Sequence, residues 1–339
     1  MNTVTVDVVI PVYNAPLLTR RCIDSVVKHL GSSIRKIYIQ DDASNPETCA
    51  MLDNLLYPQL HIFHAPGNQG YGKSVNDAVA RSDADLVLVL NSDVEVFEDF
   101  LSALCDIFAA DPTLAVISPA ENDFPRAKAD RYMRQAGGYI VTYRFRGYAF
   151  LIRRAVFNAL GGFDAQFGRG YYEDTDFGRR LEQRGWGMGV HPGVAIRHET
   201  GASFGRGQAY SDLVRKNRAL YYSRYPLAQQ NILVVSGSLT LIDLPVSLAD
   251  TFEQVMRQGG RLHWLTPMLL PQLSCLQMRN SVIGFAMILK LMLRGWLRKD
   301  KRINAVWILP GVSVGLRAFL MVWVRIRQLK VQKWGTAAL

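Results

Sequence analysis

The sequence has few cysteines, and none of them stands close to another or to a histidine at metal-ligand spacing. The four cysteines are Cys22, Cys49, Cys105 and Cys275. Their scatter argues against a disulfide framework and against a zinc site, and it suits a reducing compartment. The amino-terminal stretch also lacks the basic and apolar segments of a secretory signal, so we expect no signal peptide.

Acidic residues are scarce in the last quarter of the chain. Residues 253–339 hold 14 of the 39 lysines and arginines but only two of the 29 acids, Glu253 and Asp300. This part carries a net charge of +12, whereas residues 1–252 carry −2. A basic tail can indicate nucleic-acid binding, but these cations alternate with long aliphatic side chains and no nucleic-acid motif is visible. We therefore expect an anionic membrane surface, and no nucleic acid, as a partner.

The first half of the chain alternates strand-like and helix-like segments. Short apolar runs at residues 4–12, 36–40, 60–64 and 85–90 are separated by segments with helical spacing. This alternation predicts a three-layer α/β domain with a mainly parallel sheet. Polar residues follow three of the runs directly, as Tyr13-Asn14, Asp41-Asp42 and Asn91-Ser92-Asp93. Because the carboxyl ends of parallel strands share one edge, where such sheets bind ligands, these residues form a candidate site.

Asp93 is the principal metal-ligand candidate at this edge. A carboxylate at the end of a buried strand can offer a hard oxygen to Mg²⁺ or Mn²⁺. The Asn-Ser-Asp sequence is also ordinary turn chemistry, which is the alternative interpretation. The two other polar strand ends weaken that alternative.

A second group of acids lies farther along the chain. Glu173, Asp174 and Asp176 fall at the start of a predicted helix, where acids complement the helix dipole. Three acids preceded by two glycines and two tyrosines favour a site instead, in which a carboxylate acts as general base toward a sugar or another polyol. His198 follows a predicted strand in a Gly-rich stretch, where it is either structural or placed at a metal or diphosphate.

Seven short motifs resemble, in the same order, those of the family-2 glycosyltransferases with a GT-A fold. They are Val8-Val9-Ile10-Pro11-Val12-Tyr13-Asn14, Asp41-Asp42-Ala43-Ser44, Asn68-Gln69-Gly70-Tyr71-Gly72-Lys73-Ser74-Val75-Asn76, Asn91-Ser92-Asp93, Gly161-Gly162-Phe163-Asp164, Glu173-Asp174-Thr175-Asp176 and His198-Glu199-Thr200-Gly201-Ala202-Ser203. Each motif alone is weak, but together they extend over residues 4–205. Within the family, the sequence looks most similar to rhamnosyltransferase-like bacterial enzymes that build surface polysaccharides.

The resemblance implies a donor site at the first strand ends. Asp42 matches the acid that contacts the nucleotide base, and Pro11, Val12 and Tyr13 would line the same pocket. Lys73 would assist at the diphosphate. The implied donor is a nucleoside-diphosphate sugar.

The resemblance also implies a site for Mg²⁺ or Mn²⁺. Asp93 matches the last acid of the family's Asp-x-Asp motif, Ser92 lies beside it, and His198 matches a histidine near the diphosphate or the metal. The sequence departs from the motif at its first position, which is Asn91 rather than aspartate. Asp93 is then the only anionic ligand that can be named, so we expect modest metal affinity.

Catalysis by such a family member would invert the configuration of the sugar in a single displacement. Asp174, in the Glu173-Asp174 pair, matches the base that takes the proton from the acceptor hydroxyl. The implied acceptor is a growing glycan or a polyprenyl-linked one.

The last third of the chain predicts helices and membrane contact. Residues 281–297 have helical spacing, with Lys290 and Arg294 on one side, which is typical of a basic amphipathic helix in a membrane interface. Residues 303–324 are mostly apolar, but Arg317 and a central Pro-Gly favour an in-plane or re-entrant hairpin over a membrane span. An ordinary helical domain with a solvated basic face is the alternative.

The sequence thus predicts a GT-A (Rossmann-like) α/β domain at residues 1–225 and a helical, membrane-associating region at residues 226–339. The function we expect is that of an inverting, metal-dependent hexosyltransferase of surface-polysaccharide synthesis, peripheral on the cytoplasmic face of a bacterial inner membrane. A catalytically weak nucleotide-sugar-binding scaffold is one alternative. An integral-membrane synthase ranks last, because several spanning helices and a Gln-x-x-Arg-Trp-type motif are lacking. The apolar C-terminal region could also pack against a second copy of the chain, which leaves a homo-oligomer open.

Overall fold

The chain divides into two units, each built on its own β-sheet. The first unit comprises Met1–Ala129 and Arg134–Tyr221, and the second comprises Asp130–Met133 and Tyr222–Leu339. The structure is a computed structural model, which describes residues 4–121, 129–199, 207–237, 241–297 and 302–334.

The first unit begins with four parallel strands separated by helices, in agreement with the sequence pattern. The strands are Val6–Val12 (β1), Ile37–Asp41 (β2), Leu60–His64 (β3) and Leu86–Leu90 (β4), in the order β3-β2-β1-β4, and the helices are Pro16–Leu30 (α1), Pro46–Asp53 (α2) and Tyr71–Arg81 (α3). Every residue of β1, β2 and β4 is buried. On one face Ile10 packs in a cluster with Ile23 of α1, and on the other Val9 packs in a cluster with Val79 of α3. Layers of helix on both faces explain the unbroken apolar runs.

The rest of the first sheet is mixed. Its strands are Val94–Val96 (β5), Leu114–Glu121 (β6), Ile140–Val141 (β7), Ala149–Arg153 (β8) and Gly187–His198 (β9), and the helices nearby are Leu101–Ala110 (α4), Arg154–Ala159 (α5), Glu173–Gln183 (α6) and Gln208–Arg224 (α7). The order continues β4-β8-β6-β9-β5, with β7 also paired to β9. Strand β8 is antiparallel to both neighbours, whereas β6 and β9 are parallel. The first unit is therefore a mixed α/β domain whose opening half is wholly parallel.

The second unit is an α/β domain as well, which corrects the prediction of a helical region. Five strands form a fully parallel sheet in the order β12-β11-β10-β13-β14. They are Asn231–Val235 (β10), Arg261–Thr266 (β11), Met278–Val282 (β12), Ala305–Ile308 (β13) and Lys330–Lys333 (β14). The apolar stretch at 303–324 is no membrane hairpin here, because it divides into buried β13, a turn, and the start of a helix.

Helices cover both faces of this second sheet. They are Val246–Arg257 (α8), Phe285–Leu297 (α9) and Val314–Arg327 (α10). On one face Phe252 of α8 packs against Trp264 and Trp307, with ring centroids 5.4 and 5.8 Å away. On the other face α9 and α10 share one buried cluster with residues of β10, β11 and β13. This is a doubly wound arrangement. Among the described residues, none of the helices combines the length and apolarity that crossing a membrane requires.

Candidate active site

Asp42 lies at the edge of the first sheet where β1 and β2 end. The register pairs Val12 with Asp41, and the Asp42 N–H donates to the Val12 carbonyl at 2.8 Å. The Asp42 carboxylate is buried and accepts from the backbone N–H groups of Gln69 (2.6 Å) and Gly70 (2.8 Å). Asp42 thus holds the loop before α3 against the end of β1. The predicted pocket residues Pro11 and Val12 are buried in β1, and Tyr13 is half-buried beyond it.

The loops after β1 and β2 brace each other. The Asn14 N–H donates to Ser44 Oγ, and Asn14 Oδ1 accepts from the Asn45 N–H, both at 2.8 Å. Asn14, Ala15 and Ala43 have φ of 58°, 55° and 57°. Such left-handed backbone is strained for residues with a Cβ and persists where the surroundings impose it, often at functional sites.

Asp93 faces His198, which also contacts an acid that the sequence did not single out. His198 Nε2 lies 3.3 Å from Asp93 Oδ1, and its Nδ1 lies 3.2 Å from Glu121 Oε1. The ring of Tyr148 stacks on His198 at a centroid distance of 4.9 Å. Burial alone would lower the pKa of His198, but the adjacent carboxylates of Asp93 and Glu121 outweigh burial and raise that pKa to about 9. His198 is therefore a cation at neutral pH.

The oxygens around Asp93 fit a hard divalent cation. Within the described part of the chain, Asp93 Oδ1 and Asn91 Oδ1 are buried without a hydrogen-bond partner. The 3.3 Å approach of His198 to Asp93 is close enough for charge attraction, but it lacks the alignment of a hydrogen bond. Oxygen atoms left in this way are the ligand type that Mg²⁺ and Mn²⁺ prefer. Ser92, between them, is buried.

Three other residues bring potential metal-ligand atoms close together. Within the described ranges, only Asp41, Cys49 and His64 bring three ligand atoms within 4.8 Å of one another. These atoms already bond each other, with His64 Nδ1 at 2.8 Å and Cys49 Sγ at 3.6 Å from Asp41 Oδ2. We therefore assign the trio to bracing of β2 against β3, and keep Asp93 as the metal candidate.

Two adjacent carboxylates open helix α6, and of these Glu173 is buried and Asp174 is half-buried. Burial and then the nearby charge of Asp174 raise the pKa of Glu173 to about 8, and burial raises the pKa of Asp174 as well. Asp174 Oδ1 accepts from the Thr175 N–H (2.6 Å) and its hydroxyl (3.1 Å), and the charge of Arg144 also favours the anion. Like charges in one buried site cannot both ionise easily. With a pKa of about 8, Glu173 is mostly protonated near neutral pH. We take Asp174 as the candidate base, because Thr175 and Arg144 favour its anion.

Tyr71 lies within electrostatic range of both the carboxylate pair and Asp93, the metal candidate. Its hydroxyl donates to the Gly147 carbonyl. Burial, followed by the charges of Glu173, Asp174 and Asp93, raises the pKa of Tyr71 well above its usual range. The hydroxyl therefore stays protonated among the three acids. Tyr71 was quoted only as part of a motif, and its position at the first residue of α3 brings it to the site.

The backbone just before α6 is strained, and a side chain of α7 bonds to it. Tyr171 and Tyr172 have φ of 70° and 74°. The buried side-chain amide of Asn217 on α7 donates to the carbonyls of Phe167 (2.6 Å), Gly170 (2.8 Å) and Tyr171 (3.1 Å). Asn217 thereby fixes the turn that directly precedes the carboxylate pair. No local pattern around Asn217 predicts these contacts, because they join residues 46 to 50 positions apart.

Lys73 does not point toward the pair of acids at α6 in this structure. Its ammonium group bonds Asp77 one helical turn away, and both side chains are partly exposed. That i,i+4 ion pair is typical of a solvated helix surface. The role of Lys73 at a diphosphate stays a prediction.

Comparison with known proteins identifies the family of the first unit. A sequence profile of glycosyl transferase family 2 matches residues 7–171. The first unit is a family-2 glycosyltransferase domain of the GT-A type. The matched residues include Asp42, Asn91 and Asp93, and they end just before the carboxylate pair Glu173-Asp174.

Individual relatives match parts of the chain. An N-acetylglucosaminyl-diphospho-decaprenol L-rhamnosyltransferase of Mycobacterium tuberculosis is 27% identical over 206 residues, which are 49% of this chain and 66% of that protein. A β-monoglucosyldiacylglycerol synthase of Synechocystis sp. is 30% identical over 183 residues, which are 48% of this chain and 37% of that protein. The chain thus spans less than two-thirds of the length of either relative.

A solved structure shares the fold of the glycosyltransferase domain. A mannosyltransferase from Pyrobaculum calidifontis, solved in complex with GDP-Man and Mn²⁺, superposes with a TM-score of 0.52 at 19% identity. The superposition covers 65% of this chain and 63% of that protein. At this identity the likeness supports the fold alone.

Proposed function

We propose that the chain is an inverting, metal-dependent glycosyltransferase that moves a sugar from a nucleoside diphosphate to a lipid-linked or growing glycan in bacterial surface-polysaccharide synthesis. The observation that carries the proposal is the position of Tyr71, which lies close enough to Glu173, Asp174 and Asp93 for the charge of each to raise its pKa. A general base and a divalent metal ion at the leaving diphosphate are what this kind of sugar transfer uses. The name of the mycobacterial relative, with its decaprenol-linked acceptor, supports the acceptor class.

In the proposed reaction Asp174 takes the proton of an acceptor hydroxyl. The hydroxyl oxygen forms a bond to the anomeric carbon while the bond from that carbon to the diphosphate oxygen breaks. The electron pair leaves with the nucleoside diphosphate, and the proton stays on Asp174. Glu173 remains neutral during this step, so the site never holds two adjacent carboxylate charges.

Asp93, Asn91 and His198 would hold Mg²⁺ or Mn²⁺ at the diphosphate. A divalent cation supplies charge neutralisation of the leaving group. His198 carries a proton at neutral pH, so in that state it serves as a cationic donor to the diphosphate. His198 ligates a metal only after that proton has left. We assign Asp42, Pro11, Val12 and Tyr13 to the nucleotide base and Ser92 and Lys73 to the rest of the donor.

We also propose that the protein is peripheral on the cytoplasmic face of the inner membrane. An acceptor with a polyprenyl chain would be held there, and the +12 charge of residues 253–339 suits an anionic lipid surface. A second candidate function is a nucleotide-sugar-binding scaffold of a polysaccharide assembly complex. Asn91, which replaces the first acid of the metal motif, favours that candidate.

Donor turnover discriminates between the two functions. We would incubate UDP-, dTDP- and GDP-linked sugars with Mg²⁺ or Mn²⁺ and measure release of the nucleoside diphosphate. The wild type should hydrolyse one donor slowly, and Asp174→Asn should lose about 10²–10⁴-fold of that rate because base catalysis is removed. Asp106→Asn, at an exposed position on α4, is the matched control and should keep the rate.

Chelation should abolish turnover in the wild type. Tight binding of one donor without turnover, also after addition of polyprenyl-linked glycans, would favour the scaffold. Absence of binding to every donor would overturn the assignment of Asp42 and Asp93.

A further inference from the structure

Helices α9 and α10 lie on the same face of the second sheet and use only one side of each helix for its core. Ile288 and Leu291 of α9 pack in the same buried cluster as Leu320 and Trp323 of α10. Leu233 of β10 belongs to that cluster too. Both residues fall within 281–297, for which the sequence predicts an amphipathic helix in a membrane interface. The structure gives them to the protein core, so any second surface must use the other side of the helix.

The other sides of both helices expose apolar residues at helical spacing. On α9 these are Phe285, Leu289 and Leu293, with exposed fractions of 74%, 40% and 48%. On α10 they are Phe319, Val322 and Ile326, with exposed fractions of 40%, 59% and 73%. Residues four apart, or three and four apart in alternation, form one stripe along a helix. We call these six residues the α9–α10 face.

The charges around the α9–α10 face have one sign. Lys290 lies three residues before Leu293, and Arg325 lies three residues after Val322, so each cation adjoins a stripe. Both cations are exposed, as is Arg317 in the first turn of α10. The described residues of 279–297 and 302–334 include no acid. A helix side that faces water normally carries charges of both signs and neutral polar groups.

We propose that the α9–α10 face is the surface with which this protein lies in an anionic lipid bilayer. The six apolar side chains would enter the boundary between headgroups and acyl chains, and Lys290 and Arg325 would contact lipid phosphates. A second copy of the chain fits less well, because two such faces bring only cations against cations. The inference deepens the proposed function, on which it rests for the membrane-held acceptor, by naming the surface that brings the enzyme to that acceptor.

Vesicle binding by the full chain tests the proposal. We would measure co-sedimentation with phosphatidylcholine vesicles that contain or lack phosphatidylglycerol. The wild type should bind the anionic vesicles, and Leu289→Glu and Ile326→Glu should each weaken binding at least about tenfold, because each loses apolar burial and adds a repelled charge. Leu56→Glu, at a position 92% exposed in the first unit, is the matched control and should bind like the wild type.

Variants that neutralise one exposed cation give a second measurement, because such changes should leave the fold intact. Lys290→Gln and Arg325→Gln should each weaken binding to anionic vesicles about fivefold, because one cation near such a surface contributes about that factor. Lys28→Gln, at an exposed position on α1, should leave binding unchanged. Failure of the wild type to bind anionic vesicles, or unchanged binding by the glutamate variants, would overturn the proposal. So would a dimer of the wild type that Ile326→Glu dissociates in sedimentation equilibrium.

Donor hydrolysis without vesicles separates this proposal from the proposed function. Ile326→Glu should retain hydrolysis because it lies in the second unit, outside the candidate active site. Vesicle binding that depends on the α9–α10 face, in a protein that hydrolyses no donor, would sustain the surface and refute the transferase. Donor hydrolysis by a protein that binds no vesicles would refute the proposed membrane surface and support the transferase.

Discussion

Replacing Gly147 with alanine tests whether the position of Asp174 sets the rate. The added methyl group would lie 3.0 Å from both Cβ and Oδ2 of Asp174. Atoms that close must separate by a few tenths of an ångström. The loop cannot yield easily, because Tyr71 bonds the Gly147 carbonyl. The strain therefore falls on Asp174.

The expected cost follows from that displacement. A misplacement of 1 Å in an active site can cost about 10²-fold, so a few tenths of an ångström should lower kcat about tenfold. The KM for the donor should stay nearly unchanged, because Asp42 and Asp93 are not contacted by the new methyl group. The assay is release of the nucleoside diphosphate with an acceptor present, together with thermal unfolding of each variant.

Gly187→Ala is the matched control for this experiment. Gly187 begins β9, and a methyl group there would meet only ordinary contacts of 3.5 Å or more. A Gly147→Ala enzyme with wild-type kcat would refute the argument that Asp174 must sit where it does. An equal loss in Gly187→Ala would show that the effect comes from the fold and not from the base.

Three further predictions concern Asn217, Glu173 and Asn91. Asn217→Ala should lower the free energy of unfolding by about 2–4 kcal/mol, because buried carbonyls lose their donor. The exposed Asn158→Ala on α5 should cost less than about 0.5 kcal/mol in the same denaturation experiment, and equal costs would contradict the role of Asn217 in holding the turn before α6. The pKa of Glu173 rises from 4.5 to about 8 on folding, so wild-type stability should fall as the pH rises through that window. Glu173→Gln should flatten this fall in melting curves, and an unaltered pH dependence would count against the buried pair. Asn91→Asp should bind Mn²⁺ about tenfold more tightly in calorimetric titration, because a second carboxylate joins Asp93; unchanged affinity would remove Asn91 from the metal site.

The second unit shows where sequence patterns stop being informative. Its strands β10 and β13 are short, mainly apolar runs of five and four residues, and an apolar helix, α9, lies between them in the chain. A short apolar run has the same composition whether it is a buried strand or part of a helix. The run at 303–324 therefore predicts an in-plane or re-entrant membrane hairpin, whereas the fold divides it into β13, a turn and part of α10.

The amino-acid sequence by itself determined the first four strands of the first unit and the polar residues that follow three of them. Long buried strands with abrupt polar stops specify a layered sheet, and the shared edge of parallel strands brings Asp42 and Asp93 to one side. Only the tertiary structure decided which distant groups complete the site. Glu121 meets His198 across 77 positions, and Asn217 reaches the turn before α6 across 46 to 50 positions. Local patterns report periodicity and turn chemistry, whereas these contacts exist only once packing has joined separate elements.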